Sequence, residues 1–351
     1  SNENEANNIN KSEHILIQEK SENYIRNNSD SYHRTELNYN KHTVCSDTKD
    51  ITSQSIKELQ ALTGENRTLV FSNIDYSIRN RTNKSSIRIL KNINGIAYPG
   101  SIVAILGASG SGKSTLLDIL AGRKTTGLIS GRVLYNGQEI SNQQFAYKSV
   151  AYVPQDNVHM AHLTVRETLY YASQLRLSNN MSSTDRRRRV NAILTLLGLT
   201  DHADTIVGCE KLRLRGISGG QLKRLSIGVE IMNLAELILL DEPTTGLDSS
   251  ISLDLMGIIR KLTNQNRTII CSIHQPSAQI YSYFDSILLL AEGHVIYFGT
   301  ADGLVSYFIQ SPFRFEYADN TNPADFAVSV ASCTACTVSG NTVMISELVS
   351  Y

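Results

Sequence analysis

The sequence predicts an α/β sheet protein, with a helical subdomain inserted between the two halves of the sheet. Three observations carry that prediction. Residues 101–106 (SIVAIL) are a continuous apolar run leading into a glycine-rich loop and then into LLDIL at 116–120. A strand buried on both faces of a sheet reads as such a run, without polar alternation. Beyond Ser218, strand and helix patterns alternate, with strands expected at 237–240, 268–273, 286–290 and 295–299, and that alternation argues for an α/β sheet. Between the two halves, residues 163–199 take on helical periodicity.

The elements follow in order. Residues 1–66 are rich in Asn, Ser, Glu, Lys and Thr, with few clustered hydrophobes. Such a stretch buries too little apolar surface to offset its ordering entropy and is expected to be disordered, with a short helix at 51–62. Two strands are expected at 69–71 and 74–78, a polar loop at 79–86 and a further strand at 87–96, before Pro99 and Gly100 mark a turn. In the helical insert, set at about 156–225, Thr164 followed by Glu167 predicts a capped helix start. Thr184 and Asp185 are expected to open the next helix, which ends near Gly198. The catalytic domain is set at 67–310, and 311–351 is expected to be a carboxy-terminal segment leading into a linker.

Composition excludes several classes. Lys plus Arg and Asp plus Glu number 33 each, so the basic excess of a nucleic-acid binder is missing and none is expected as partner. The five cysteines, Cys45, Cys209, Cys271, Cys333 and Cys336, are odd in number and irregular in spacing. They do not read as a disulfide framework, and the Cys333/Cys336 pair has no second Cys/His pair to complete a zinc site. A reducing, cytosolic setting fits them. No apolar run approaches the ~18 residues that span a bilayer, so the fragment itself is expected to be soluble.

The chemistry concentrates first in GASGSGKST: Gly107, Ala108, Ser109, Gly110, Ser111, Gly112, Lys113, Ser114 and Thr115. A strand before it and a helix after it are the context a phosphate-binding loop requires. Glycines let successive N–H groups converge on an anion, and the helix amino terminus adds its partial positive charge. Lys113 is placed to reach the β and γ phosphates, Ser114 to ligate Mg²⁺, and Thr115 to contact the α phosphate. The second motif, LILLDEP at 237–243, delivers two carboxylates at the carboxyl end of a strand, where open α/β sheets bind ligands. Asp241 is expected to hold Mg²⁺ through water, and Glu242 to polarise the attacking water as general base. Together these define a P-loop NTPase of the RecA-like kind, with ATP and Mg²⁺ as cofactors.

Three further stretches narrow the class. Ser218, Gly219, Gly220 and Gln221 open a helix and form a second anion-binding nest. One phosphate chain does not need two such nests, so the second is expected to serve a nucleotide bound to another subunit; a plain helix cap is the competing explanation. Gln155 follows a short strand and is placed to reach the metal or the attacking water. His274 ends a later strand at the same sheet edge and is a γ-phosphate contact candidate.

Taken together, these motifs resemble the nucleotide-binding domain of ABC transporters over about residues 68–330. GASGSGKST is similar to Walker A, Gln155 to the Q-loop glutamine, ISGGQ to the signature, LILLDE to Walker B, Asp248 to the D-loop aspartate and His274 to the switch histidine. The segments NINGIAYPG, LTVRETLYYASQLRL, RGISGGQLKRLSIGVE, LDEPTTGLDSS, TIICSIHQPS and NPADF resemble the G subfamily of half-transporters; Gln221 stands where that subfamily commonly has Glu. The resemblance implies an α/β cassette with a smaller antiparallel β subdomain, and an ATPase domain that precedes a membrane domain, acts at the cytoplasmic face of a membrane, and powers export of lipids, sterols or amphipathic compounds. It also implies a head-to-tail pair of cassettes, with ATP held between the P-loop of one and Ser218, Gly219 and Gly220 of the other, and Asp248 at the interface. A soluble, non-transport ATPase and a nucleotide-dependent regulatory module are the alternatives. For an aromatic that stacks on adenine, Tyr76 is the first candidate and Phe71 and Tyr98 compete, while packing of Tyr76 in the core is equally open. The Arg186–Arg189 run reads as a solvated face, or as a contact for acidic groups of a membrane domain or lipid headgroups.

Overall fold

The structure is a computed structural model that describes residues 68–79, 86–140, 149–264, 266–318, 321–338 and 342–350. The expected extension at 1–66, its helix at 51–62 and positions 80–85 of the polar loop lie outside the described residues.

Among the described residues, ten strands form two sheets. The smaller is antiparallel, in the order β2-β1-β4-β5, built from β1 (Leu69–Arg79), β2 (Ser86–Ala97), β4 (Leu128–Tyr135) and β5 (Gln138–Glu139). The larger runs β10-β9-β3-β8-β7-β6: β3 (Ile102–Gly107), β6 (Val150–Val153), β7 (Leu237–Asp241), β8 (Thr268–Ser272), β9 (Ser286–Ala291) and β10 (His294–Thr300). From β9 to β6 all neighbours are parallel, and only the β10 edge is antiparallel.

Burial on both faces explains why the sequence of these central strands does not alternate. Ile102, Ala104 and Leu106 of β3 point into one apolar layer, and Val103 and Ile105 into the other. In β7, Ile238 and Leu240 join the first layer, Leu237 and Leu239 the second. The first layer is roofed by α5 (Ser249–Thr263) and α8 (Pro323–Ala331), through residues such as Met256, Ile259 and Phe326, with the shorter α6 (Ala278–Tyr281) and α7 (Gly303–Gln310) between them in sequence. The second is filled by Leu116, Leu117 and Leu120 of α1 (Lys113–Leu120), together with Leu90 and Tyr135 of the antiparallel sheet. Leu239 has no exposed surface. Leu239→Ala is therefore expected to destabilise the fold by about 2–5 kcal/mol through lost burial and the cavity left behind, read as a lower urea midpoint at constant m-value.

The two short strands expected at 69–71 and 74–78 are one bulged strand, β1. Its pairing with β2 shifts register between Phe71 and Ile74, where Asn73 has φ 52°. Asn tolerates that left-handed conformation better than most side chains, so the irregularity is absorbed locally and the strand continues. β4 and β5 complete the antiparallel sheet.

The helical insert contains α2 (Val165–Arg176), α3 (Ser183–Leu196) and α4 (Gly219–Glu230). Thr164 and Glu167 form the expected reciprocal cap of α2. The cap of α3 is Ser182, whose hydroxyl accepts from Asp185 N at 3.1 Å, rather than Thr184 and Asp185. The arginine run divides. Arg186 is buried and donates to the carbonyls of Ser173 and, at 2.7 Å, Ser178 at the carboxyl end of α2, where the helix dipole favours a cation; Arg187 and Arg188 are exposed. Arg176 binds Glu230 at 2.8 and 2.5 Å and so ties α2 to the end of α4. In the carboxy-terminal segment, α8 packs against β3 and β9, and Val343 and Leu348 still belong to the core.

Candidate active site

The carboxyl ends of β3, β7 and β8 meet at one edge of the parallel sheet, and each delivers chemistry there. β3 ends at Gly107 with φ 147°, and a Cβ on it would lie 2.2 Å from the Leu290 carbonyl oxygen. Only glycine lets the chain turn there. Gly112, at φ 108°, caps α1 with no side-chain bond to the first-turn N–H groups. A helix amino terminus left open in this way is a receptor for an anion. Lys113 is 6% exposed, and its ammonium folds back to donate to Gly107 O (2.9 Å) and Ala108 O (3.0 Å). Burial pulls its pKa below the ordinary lysine value, opposed by the negative charges of Glu242 and Asp241. In the same loop the buried Ser111 hydroxyl has no hydrogen-bond partner among the described residues. Open N–H groups, an enclosed ammonium and an unpartnered hydroxyl fit a polyphosphate.

A hard-oxygen cluster lies beside it. Ser114 Oγ donates to Asp241 Oδ1 at 3.0 Å, and the buried Asp241 also accepts from Ser272 Oγ at 2.6 Å and Tyr152 OH at 3.4 Å. A hydroxyl and a carboxylate oriented together at a phosphate loop match the ligand preference of Mg²⁺. The Tyr152 phenol is held strongly in its neutral, donating form, first by burial and then by Asp241 and Asp118.

Glu242 follows Asp241 with φ 42°, a left-handed conformation that turns its side chain out of the strand direction. Its N–H donates to Ser272 Oγ at 2.9 Å. Its Oε2 accepts from Gln155 Nε2 (3.1 Å) and from Thr245 Oγ1 (3.0 Å). His274 Nε2 lies 3.4 Å from Ser109 Oγ across the mouth of the loop. Ser109, Lys113, Ser114, Gln155, Asp241, Glu242 and His274 therefore converge on one site, and Thr115 stands half-buried in the first turn of α1.

Ser218 to Gln221 stand apart from it. Ser218 caps α4, with Ser218 N donating to Gln221 Oε1 at 2.8 Å and Gln221 N to Ser218 Oγ at 3.4 Å. Gln221 thus takes part in a helix cap that a Glu would also make. Ser218 and Gly219 are exposed, Gly220 packs on Ile251, and the exposed Asp248 caps α5 without a side-chain bond. Among the described residues, no hydrogen bond joins this group to the phosphate loop of the same chain.

The aromatic platform is a correction. Tyr76 is 2% exposed, and a Cβ on Gly127 would lie 2.6 Å from its ring. A residue packed so closely presents no open face to adenine, and its strand register, pairing with Leu90 and Ile129, holds it there. Phe71 is equally buried, against Gly95. Tyr98 is exposed, but it lies before β3, at the far end of the strand from the phosphate loop.

Sequence reasoning missed Ser272, Thr245, Tyr152 and Lys223. Ser272 was accessible in principle: it is the last residue of β8, paired in register with Asp241. Lys223 carries a weaker signal, a lysine in the apolar stretch of a helix, and only the fold reveals its burial.

Comparison with known proteins agrees with this geometry. A family model described as ABC transporter matches residues 90–245. The chain is 40% identical over 270 residues to ABC transporter G family member 22 of Dictyostelium discoideum, covering 76% of this chain and 42% of that protein. It is 44% identical over 280 residues to the broad substrate specificity ATP-binding cassette transporter ABCG2 of Bos taurus, covering 78% and 42%. The chain thus spans less than half the length of these curated relatives. Its fold is similar to the dimeric structure of a bacterial ABC transporter cassette, with TM-score 0.57 and 24% identity over 66% of this chain and 98% of that one. In motifs, fold and relatives, the chain belongs to the ABC transporters of the G family, and its described residues form the ATP-binding cassette.

Proposed function

We propose that this chain binds Mg-ATP and hydrolyses it, as the motor domain of a G-family half-transporter at the cytoplasmic face of a membrane. The observation that carries the reading is the convergence of Lys113, Ser114, Asp241, Gln155, Glu242 and His274 at one sheet edge. Lys113 and the open N–H groups of α1 hold the phosphates. Ser114 and Asp241, with Gln155 within reach, hold Mg²⁺, which when bound neutralises charge on the phosphate oxygens. Glu242, held by Gln155 and Thr245, takes the proton of the attacking water. His274, steered by Ser109, contacts the γ phosphate. In phosphoryl transfer the protein mainly positions groups and stabilises charge, which is what this set of side chains is suited to do.

Ser218, Gly219 and Asp248 are exposed outside the chain's own phosphate loop, with Gly220 packed beneath them on Ile251, and that exposure favours a partner cassette as the user of the surface. Two cassettes then enclose ATP head to tail, and hydrolysis separates them. Among the described residues no helix is long and apolar enough to cross a membrane. In this reading the cycle of ATP binding and hydrolysis drives a membrane domain that exports a lipid, sterol or amphipathic compound. The relatives named as transporters support that reading.

The test is light scattering after size exclusion on Glu242→Gln, with and without Mg-ATP. A mass that doubles with ATP, and stays single when Ser218→Arg is added, is the expected result. A mass that stays single while ATP is bound removes the paired-cassette element from the reading for this chain.

A further inference from the structure

Lys223 lies one turn beyond Ser218 on α4, and its side chain is not used by any motif of the site. It is 2% exposed, although a lysine is among the residues least often buried. Its ammonium donates to two consecutive backbone carbonyls, Pro154 O at 3.1 Å and Gln155 O at 2.9 Å. A second contact follows on the same face of the helix, three residues on. Ser226 Oγ lies 2.8 Å from both Asn157 Oδ1 and His159 Nε2. The same hydroxyl also lies 3.1 Å from Leu222 O, and the tautomer of His159 sets which partner takes its single proton. One face of α4 therefore grips the loop from Pro154 to His159. The same loop sends Gln155 Nε2 to Glu242 Oε2.

Holding a charge in this place is costly. Burial lowers the Lys223 pKa to about 8, and the nearby carboxylates of Asp241, Asp156 and Glu242 act against that. A neutral side chain of the same shape would avoid the desolvation. Packing alone does not account for a lysine here; two carbonyl acceptors on the loop that aims Gln155 do.

We propose that Lys223 is a positioning residue for hydrolysis: it fastens the loop that carries Gln155 to the helix that Ser218 opens, so that Gln155 moves with that helix relative to Glu242. The proposal rests on the ATPase reading above. Its consequence is directional. Whatever engages Ser218 and Gly219 at the start of α4 is felt one turn later at the Lys223 ammonium, and from there at the Gln155–Glu242 contact. Communication between the exposed signature and the hydrolytic carboxylate is then built into a single chain.

Lys223→Met keeps most of the aliphatic stem and removes the donors; Lys223→Arg keeps donors and charge. Two measurements are made on the whole chain: amide hydrogen exchange, and steady-state Mg-ATP hydrolysis. In Lys223→Met, exchange at residues 155–159 is expected to rise about tenfold, with the β7 and α1 peptides unchanged. The turnover number is expected to fall about tenfold with KM for ATP within about twofold, because positioning and not binding is lost. Lys223→Arg should recover at least half of both effects. Unchanged exchange at 155–159 in Lys223→Met overturns the proposal, and so does a rise spread evenly over β7 and α1, which is the mark of a merely structural residue. An equal loss in KM and turnover also overturns it. A parent chain that binds ATP but does not turn it over sinks the ATPase reading instead, and the exchange data then still show whether Lys223 holds the loop.

Discussion

Glu242→Gln should lower Mg-ATP hydrolysis by about 10²–10⁴-fold, the range over which a positioned general base contributes, while ATP affinity stays within about threefold. The substitution is nearly isosteric. Its amide oxygen can still accept from Gln155 and Thr245, the two groups 3.1 and 3.0 Å from Oε2. The backbone at this position is left-handed, with φ 42°, and Gln is no less able than Glu to occupy it. The phosphate-holding parts, Lys113 and the α1 amino terminus, do not bond to Glu242. Only the ability to take a proton is removed. Single-turnover hydrolysis, with equilibrium binding measured on the same preparation, checks this. Hydrolysis at the parent rate would mean that Glu242 is not the base and that the water is activated elsewhere; a parallel loss of binding would mean that its charge helps hold the metal.

The parts of this site that could be read in the sequence are those whose residue types follow from local backbone demands. Gly107 and Gly112 carry positive φ in a turn where a side chain would strike Leu290 or Leu90, so the phosphate loop leaves a signature in nine consecutive letters. LILLD is legible because a strand covered on both faces must be apolar throughout, and the carboxylates can begin only where it ends. Thr164 and Glu167 are legible because a reciprocal cap joins two residues three apart. What was not legible depends on partners distant in sequence. β4 pairs with β1 across about 55 residues, and its exposed Leu128 and Ile129 do not advertise a strand. Whether Tyr76 packs or stacks is decided by Gly127, fifty-one residues away. Lys223 meets its two carbonyls 69 and 68 residues upstream, and its one local signal, a place in the apolar stretch of a helix, does not reveal them. Ser182 in place of Thr184 and Asp185 is a smaller failure of the same kind. Four successive residues, Ser182 to Asp185, are all of types that cap helices, and the sequence alone does not choose among them.

Lys113→Met separates binding from folding. The Lys113 ammonium is expected to make charge-assisted bonds to phosphate oxygens, each worth about 1.5–3 kcal/mol. Losing that donor should weaken ATP binding by about 10–150-fold. The unliganded fold should respond differently, because the charge is held there at a cost. Burial depresses the Lys113 pKa below 10.5, despite the attraction of Glu242 and Asp241. Between the depressed value and 10.5 the unfolded chain binds the proton and the folded chain does not. Stability through this group must therefore rise with pH across that window, and the penalty is fully present below it. Met carries no such penalty at any pH. The difference in unfolding free energy, parent minus Lys113→Met, is expected to increase as pH climbs toward 10.5 and to be flat near neutrality. Urea unfolding of both proteins at a series of pH values measures it directly, with ATP titrations run in parallel near pH 7. A flat difference at all pH values would show that the two loop carbonyls compensate the ammonium completely in the free state. An ATP affinity left at the parent value would remove Lys113 from the phosphate site altogether. The expected pair of results, weaker binding with a pH-dependent fold penalty removed, identifies the phosphate chain as the partner that justifies a lysine in so enclosed a place.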